Sequence, residues 1–245
     1  MVIGFIGSGS MAAAMARGWA GESDGMLFSD SGSGRAQELA EELGGEAATN
    51  QEVAARADLL VLAVKPAKLD EVAPELQAAR EVVSILAAVP LARLAAAFPG
   101  AKVLRVMPNV GVEVRKGVLC VAGETSTATR DKLGVLGQVV ELDDGDFDQA
   151  TAVMGCAPAY LALAVEAIAD AGAAAGLDPG LARELVVETV AGTAELLRVH
   201  SPADVRRAVA SPGGSTEAGL EALDREGARG AFGAAVEASL ERMRG

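Results

Sequence analysis

The stretch GFIGSGSMAAAMARGWA (Gly4–Ala20) decides the fold. It passes from an apolar run into glycines and serines, then into an alanine-rich segment. Within it, Gly7-Ser8-Gly9-Ser10-Met11-Ala12 fits the pattern G-x-G-x-x-G/A, directly after a strand and opening a helix. In that pattern Gly7 permits the tight turn, Gly9 leaves room for a pyrophosphate over the backbone, and Ala12 lets helix and strand pack closely. The helix N-terminus then meets phosphates with free N–H groups and the positive end of its dipole. An ordinary glycine turn would look the same in isolation, so the surrounding pattern decides between the two.

Outward from this turn, short apolar runs alternate with helical patterns. VIGFI (2–6), MLFS (26–29), LLVLAV (59–64), VVSIL (82–86), KVLRVM (102–107), VLCVA (118–122) and QVVEL (138–142) read as strands. GRAQELAEEL (34–43) and LARLAAAF (91–98) are among the helical stretches between them. Apolar strands of this kind suit a sheet covered on both faces, and the alternation predicts parallel βαβ units. After ELDDGDFDQA (141–150) the strands stop, and helix-starting Pro and Ser punctuate the rest at GLDPG (176–180), HSP (200–202) and SPGGS (211–215). The expected fold class is α/β. A Rossmann-type dinucleotide-binding domain spans 1–147 and an all-α domain spans 148–245. In that context the glycine turn reads as a dinucleotide site.

The bulk properties narrow the function. With 245 residues, the chain can bury a full core, and 51% hydrophobic against 22% charged residues is a globular balance. A net charge of −13 speaks against a nucleic-acid partner, because phosphate backbones need basic surface. Two cysteines, Cys120 and Cys156, are too few for a disulfide framework and suit a cytoplasmic location. Only Met1 and Val2 precede the first apolar run, so no signal peptide is expected there. The segment Met154–Leu177 is long enough to span a bilayer, yet Glu166 and Asp170 near its middle favour the buried centre of a helical assembly. ELDDGDFD (141–148) lacks the spacing of a calcium loop, so no metal is expected and the segment reads as a solvated interdomain turn.

The second strand ends in Ser29-Asp30-Ser31-Gly32-Ser33-Gly34-Arg35, about 20 residues past the glycines, where an acid would bind the ribose 2′-OH of NAD and a base a 2′-phosphate. Asp30 argues for NADH, Arg35 and the serines leave NADPH open, and Asp30 as a cap of the next helix is the alternative.

LAVKP (62–66), RVMPN (105–109), APAY (157–160) and SPGGSTEAGL (211–220), in this order along the whole chain, resemble the pyrroline-5-carboxylate reductase family. The resemblance implies that the glycine turn (Gly7, Ser8, Gly9, Ser10, Met11), Asn50 and the segment Ala63, Val64, Lys65, Pro66 line the cofactor site. It also implies that Ile85, Leu86 and Ala87 border the nicotinamide, with Leu86 and Ala88 departing from S-I-A-A-G. The P-G-G-x-T loop carries over to Gly213, Gly214, Ser215 and Thr216, which would bind the substrate carboxylate and face the reacting ring. Further departures are Ser10, where Asn is common, and Cys156-Ala157 within G-S-G-P-A-Y. The activity implied is reduction of 1-pyrroline-5-carboxylate to L-proline by NADPH or NADH. These reductases dimerise through their helical domains and complete the active site with both chains, so a homodimer, or an oligomer of dimers, is implied.

The residue inventory supplies a separate argument. Carbonyl reduction needs an acid for the developing alkoxide, usually His, Lys or Tyr. The chain has one histidine, His200, in an expected interhelical break, one tyrosine, Tyr160, on the apolar helix, and no lysine after Lys132. A cyclic imine can be protonated before hydride arrives, so orientation and carboxylate binding suffice. Without the resemblance, SPGGST would read as a helix cap with Ser215 or Thr216 capping. A related two-domain dehydrogenase and a non-catalytic dinucleotide-binding paralogue, a sensor or structural partner, remain the alternatives.

Overall fold

The computed structural model describes residues 1–244 and divides into two compact units, Met1–Gly155 and Cys156–Gly245. The division falls beyond Phe147, inside the helical stretch rather than at its start.

The first unit is an eight-stranded sheet in the order β3-β2-β1-β4-β5-β6-β7-β8. Its strands are β1 (Val2–Ile6), β2 (Gly25–Ser29), β3 (Glu46–Ala47), β4 (Leu59–Leu62), β5 (Glu81–Ser84), β6 (Lys102–Pro108), β7 (Gly117–Gly123) and β8 (Gly137–Glu141). The helices are α1 (Ser10–Gly18), α2 (Arg35–Leu43), α3 (Asn50–Arg56), α4 (Leu69–Val72), α5 (Leu91–Ala97), α6 (Thr127–Val135) and α7 (Phe147–Ala150). Strand residues alternate between two cores. Ile3, Phe5, Leu59 and Val61 join Met15, Trp19 and Phe28 on one face; Ile6, Leu60, Leu62 and Val82 join Leu94 and Phe98 on the other. That double cover is what apolar parallel strands require. Phe5 stacks on its register partner Phe28 at 5.2 Å, and Trp19 closes the cluster while its indole N–H donates to the Lys132 carbonyl.

Two expectations need correction. The strands are not all parallel: β7 runs antiparallel to β6, with Val106 opposite Val121. Only residues 109–116, with the tight turn Val110–Val114, join them, and a parallel return needs a crossover of a dozen or more residues. The aspartate-rich segment is not simply solvated either. Asp144 accepts from the Leu91 N–H and from Arg105 at 2.8 Å, and Arg105, only 4% exposed, lies 4.1 Å over the Phe147 ring. An interior cation needs a charged partner, and this turn supplies it. The two-residue β3 was not anticipated; GEA is too short to show a period.

The second unit contains α8 (Ala157–Ala174), α9 (Pro179–Leu196), α10 (Pro202–Val209), α11 (Ser215–Arg225) and α12 (Ala228–Arg244). Asp178 and Ser201 cap α9 and α10 through their side chains. Helix α8 is not buried within one chain. Leu161, Leu163 and Ile168 are more than half exposed, because α9 covers only the side carrying Ala169. By length and composition Asp144–Ala174 is apolar enough to cross a membrane.

Candidate active site

The candidate cofactor turn is built where β1 ends. With β2 on one side of β1 and β4 on the other, chain order reverses here, which opens a crevice at the carboxyl ends of the strands. Gly7 has φ +96°, and a Cβ there would stand 2.7 Å from the Ala63 carbonyl oxygen, so both conformation and space demand glycine. Gly9 is the N-cap of α1 without a side-chain cap, and a Cβ on it would meet nothing within 4 Å. The first backbone bond of α1 runs from Ala13 to Gly9, so the N–H groups of Ser10, Met11 and Ala12 have no backbone acceptor. Free amides over open space at a dipole's positive end fit a pyrophosphate. Ser8 is tied down, its hydroxyl donating to the Ser29 carbonyl, and Ala12 is buried against the sheet.

A cavity of about 510 Å³ opens at this turn, lined by Ser8, Gly9, Ser10 and Met11 and walled by Arg17 and Arg35. Arg17 is bound at 2.7 Å to Glu42, which raises its pKa, and lies 3.4 Å from Glu113. Arg35 makes no ion pair or hydrogen bond with the described residues. It is the first residue of α2, six positions past the end of β2, where a base would meet a 2′-phosphate.

Asp30 does not present a free carboxylate. Its oxygens accept from the N–H groups of Gly32 at 2.7 Å, Ser33 at 3.2 Å and Ala36 at 2.9 Å, and from the Ser33 hydroxyl at 2.8 Å. Partial burial pushes its pKa up, but these donors together outweigh it and hold the carboxyl below the usual range. Asn50, first residue of α3, accepts from the Ser29 hydroxyl and donates to Glu75, both at 2.7 Å. Ala63 follows β4 directly and donates to the Ile6 carbonyl at 2.8 Å, so Ala63, Val64, Lys65 and Pro66 leave the sheet beside the glycine turn. Lys65 is exposed. Ile85 is held against β4 by its bond to the Leu62 carbonyl, and Ala87 is exposed. Leu86 is 1% exposed, with its side chain in the core, so only its backbone can face a ligand.

A second candidate turn lies in the second unit. Gly213 has φ +70°, and a Cβ on Gly214 would meet the Ser211 hydroxyl oxygen at 2.6 Å and its carbonyl oxygen at 2.9 Å, so Ser211-Pro212-Gly213-Gly214 closes tightly. Gly214, not Ser215 or Thr216, is the N-cap of α11, and no side chain caps it. Ser215 and Thr216 therefore stand exposed in the first turn, with their hydroxyls on a dipole's positive end. His200 is exposed in the break between α9 and α10. The Tyr160 hydroxyl shares a 2.6 Å hydrogen bond with Ser239 on α12, which gives it a packing role.

Residues 144–245 match the family model described as pyrroline-5-carboxylate reductase dimerisation, and residues 2–88 match that described as NADP oxidoreductase coenzyme F420-dependent. A pyrroline-5-carboxylate reductase of Synechocystis is 40% identical over 204 residues, 79% of this chain and 76% of the relative. The chain belongs to the pyrroline-5-carboxylate reductase family. The solved structure of the Streptococcus pyogenes reductase superposes with a TM-score of 0.89 at 32% identity, covering 99% of this chain and 98% of that one. The Plasmodium falciparum reductase, solved with NADP bound, gives 0.85 at 26% identity, covering 99% and 97%. Both reductases match across the α/β and the helical unit alike.

Proposed function

We infer from these two turns how this enzyme reduces 1-pyrroline-5-carboxylate to L-proline with NAD(P)H. The free amides of α1 above Gly9 would hold the cofactor's pyrophosphate, and Ala63–Pro66 and Ile85–Ala87 would border its nicotinamide end. When bound, the cofactor supplies the hydride. The substrate carboxylate is held by the N–H groups that open α11 after Gly213 and Gly214. Thr216, whose hydroxyl can donate or accept, orients the ring. No side chain has to deliver a proton as the hydride reaches the imine carbon, because the imine nitrogen is protonated beforehand and its cation is already electrophilic. This matches a helical unit in which Tyr160 is committed to Ser239. Catalysis is then positioning, where effective molarity supplies most of the rate.

The observation that carries this reading is the Gly213–Thr216 turn. It is too tight for any residue but glycine at 214, it starts a helix, and it leaves that helix uncapped by its own hydroxyls. The test is the loss of absorbance of NADPH or NADH with 1-pyrroline-5-carboxylate, with L-proline identified as product. Thr216→Ala should lower kcat/KM by about 10- to 100-fold, the value of one hydrogen bond in a closed site, and leave cofactor affinity unchanged. Unchanged kinetics would return Thr216 to a purely structural role.

The working form in this reading is a homodimer made through the helical unit. The half-exposed Leu161, Leu163 and Ile168 need a cover, and a second copy is the commonest one. Glu166 and Asp170 in the same helix speak for protein rather than lipid. Free thiols at Cys120 and Cys156 support a cytoplasmic location.

A further inference from the structure

The turn that presents Thr216 already holds a carboxylate, its own. Glu217 folds back over the turn, and its Oε2 accepts a 2.6 Å hydrogen bond from the Gly213 N–H. The first backbone bond of α11 runs from Ala218 to Gly214, which leaves the N–H groups of Ser215, Thr216 and Glu217 without a backbone acceptor. These amides and the helix dipole form one small region of positive potential. Arg225, the last residue of the helix, and Arg229, on α12, pair with Glu226 and Asp224.

We propose that Glu217 is a specificity-determining residue, an internal carboxylate that competes with the substrate's carboxylate for the Gly213–Thr216 turn. This rests on the reading of that turn as the substrate site. In the free enzyme Glu217 satisfies the N–H of Gly213, the residue before the N-cap, and keeps the turn formed. When a carboxylate ligand arrives, two like charges face one helix end, and one must move or both are held less well. The cost falls on ground-state binding, so Glu217 raises KM for a carboxylate-bearing imine without acting on the hydride step. A cyclic imine that lacks the carboxylate does not meet this opposition.

Two substitutions separate competition from capping. Glu217→Gln keeps an oxygen for the Gly213 N–H and removes the charge; Glu217→Ala removes both. KM and kcat are measured for 1-pyrroline-5-carboxylate and for 1-pyrroline, together with the inhibition constant of L-proline and the melting temperature. We expect both variants to lower KM for the carboxylate substrate by about threefold to tenfold, the scale of one charge-assisted contact. The gain should appear in KM rather than kcat, with the L-proline constant falling in parallel and KM for 1-pyrroline unmoved. If Glu217→Gln has the wild-type KM, or if KM rises in Glu217→Ala along with a lowered melting temperature, Glu217 is a cap only and the proposal fails. A wild-type protein that binds cofactor but does not reduce 1-pyrroline-5-carboxylate would instead overturn the underlying reading, and that result is in hand before any variant is made.

Discussion

Asp30 Oδ2 accepts a 2.9 Å hydrogen bond from the N–H of Ala36, the second residue of α2. With Gly32 and Ser33 on the same carboxylate, Asp30 braces the loop that leads from the second strand into that helix. Asp30→Ser should therefore cost about 1 kcal/mol of stability, as loss of a helix-capping carboxylate does. It should weaken NADH and NADPH alike. The folded carboxyl titrates below its ordinary value of 3.8, so its contribution is complete above that pH and is lost as pH falls through the lowered folded value. Denaturation of wild type and Asp30→Asn across this range checks it: the gap between them should close on the acid side. A selective loss of NADH affinity would give the carboxylate back to the ribose.

Arg35 is expected to meet the 2′-phosphate of a cofactor that carries one. It is exposed, unpaired among the described residues, and lines the same cavity as Ser8, Gly9 and Ser10. A guanidinium forks onto phosphate oxygens, whereas a ribose hydroxyl gives it little to hold. Arg35→Ala should weaken NADPH by about tenfold, the value of one charge-assisted contact, and NADH by much less. Dissociation constants from nicotinamide fluorescence decide it without any turnover, and equal losses for both cofactors would remove Arg35 from the phosphate site.

The glycine turn was legible because each small residue has a steric meaning that survives without the structure. Gly7 has a carbonyl 2.7 Å from where its side chain would be, and Gly9 faces open space. The partners of Asp30 were not legible. An acid at the end of a second strand looks the same whether its lone pairs face a ribose or its own loop; only the backbone path from Gly32 to Ala36 decides. Strand direction was hidden for a similar reason. VLCVA reads as an apolar strand either way, and its reversal follows from the short turn after Asn109 rather than from its own residues. Arg105 and Asp144 are 39 residues apart, and nothing local announces that pair. Glu217 did carry a local signal, an acid in the first turn of the helix that SPGGS opens.

Ala88 holds φ +57°, a left-handed conformation, in the segment that follows β5. The resembling segment has glycine there, and an L-residue in this region costs about 1–2 kcal/mol. Ala88→Gly trades that strain against the greater unfolded-state entropy of glycine and should stabilise the protein by about 0.5–1 kcal/mol. A higher urea midpoint with an unchanged slope would show it; a lower midpoint would mean that the Ala88 methyl makes compensating contacts.

Association should reside in α8. Leu163 is 65% exposed and Leu161 and Ile168 lie on the same helix at 56% and 58%, apolar surface left open among the described residues. A second copy placed on it would bury well over ~2,000 Å² if it behaves as an obligate dimer. Leu163→Glu puts a charge into that contact, and an unpaired buried charge costs several kcal/mol, enough to dissociate a dimer at micromolar concentration. The first unit has two cores of its own around Phe5 and Leu62, so the substitution should leave its fold and its cofactor binding in place. Light scattering should then report a dimer for wild type and a smaller species for Leu163→Glu, with reductase activity lost and nicotinamide binding retained. A wild-type protein that is monomeric and fully active would refute the interface, and a dimeric Leu163→Glu protein would move it away from α8.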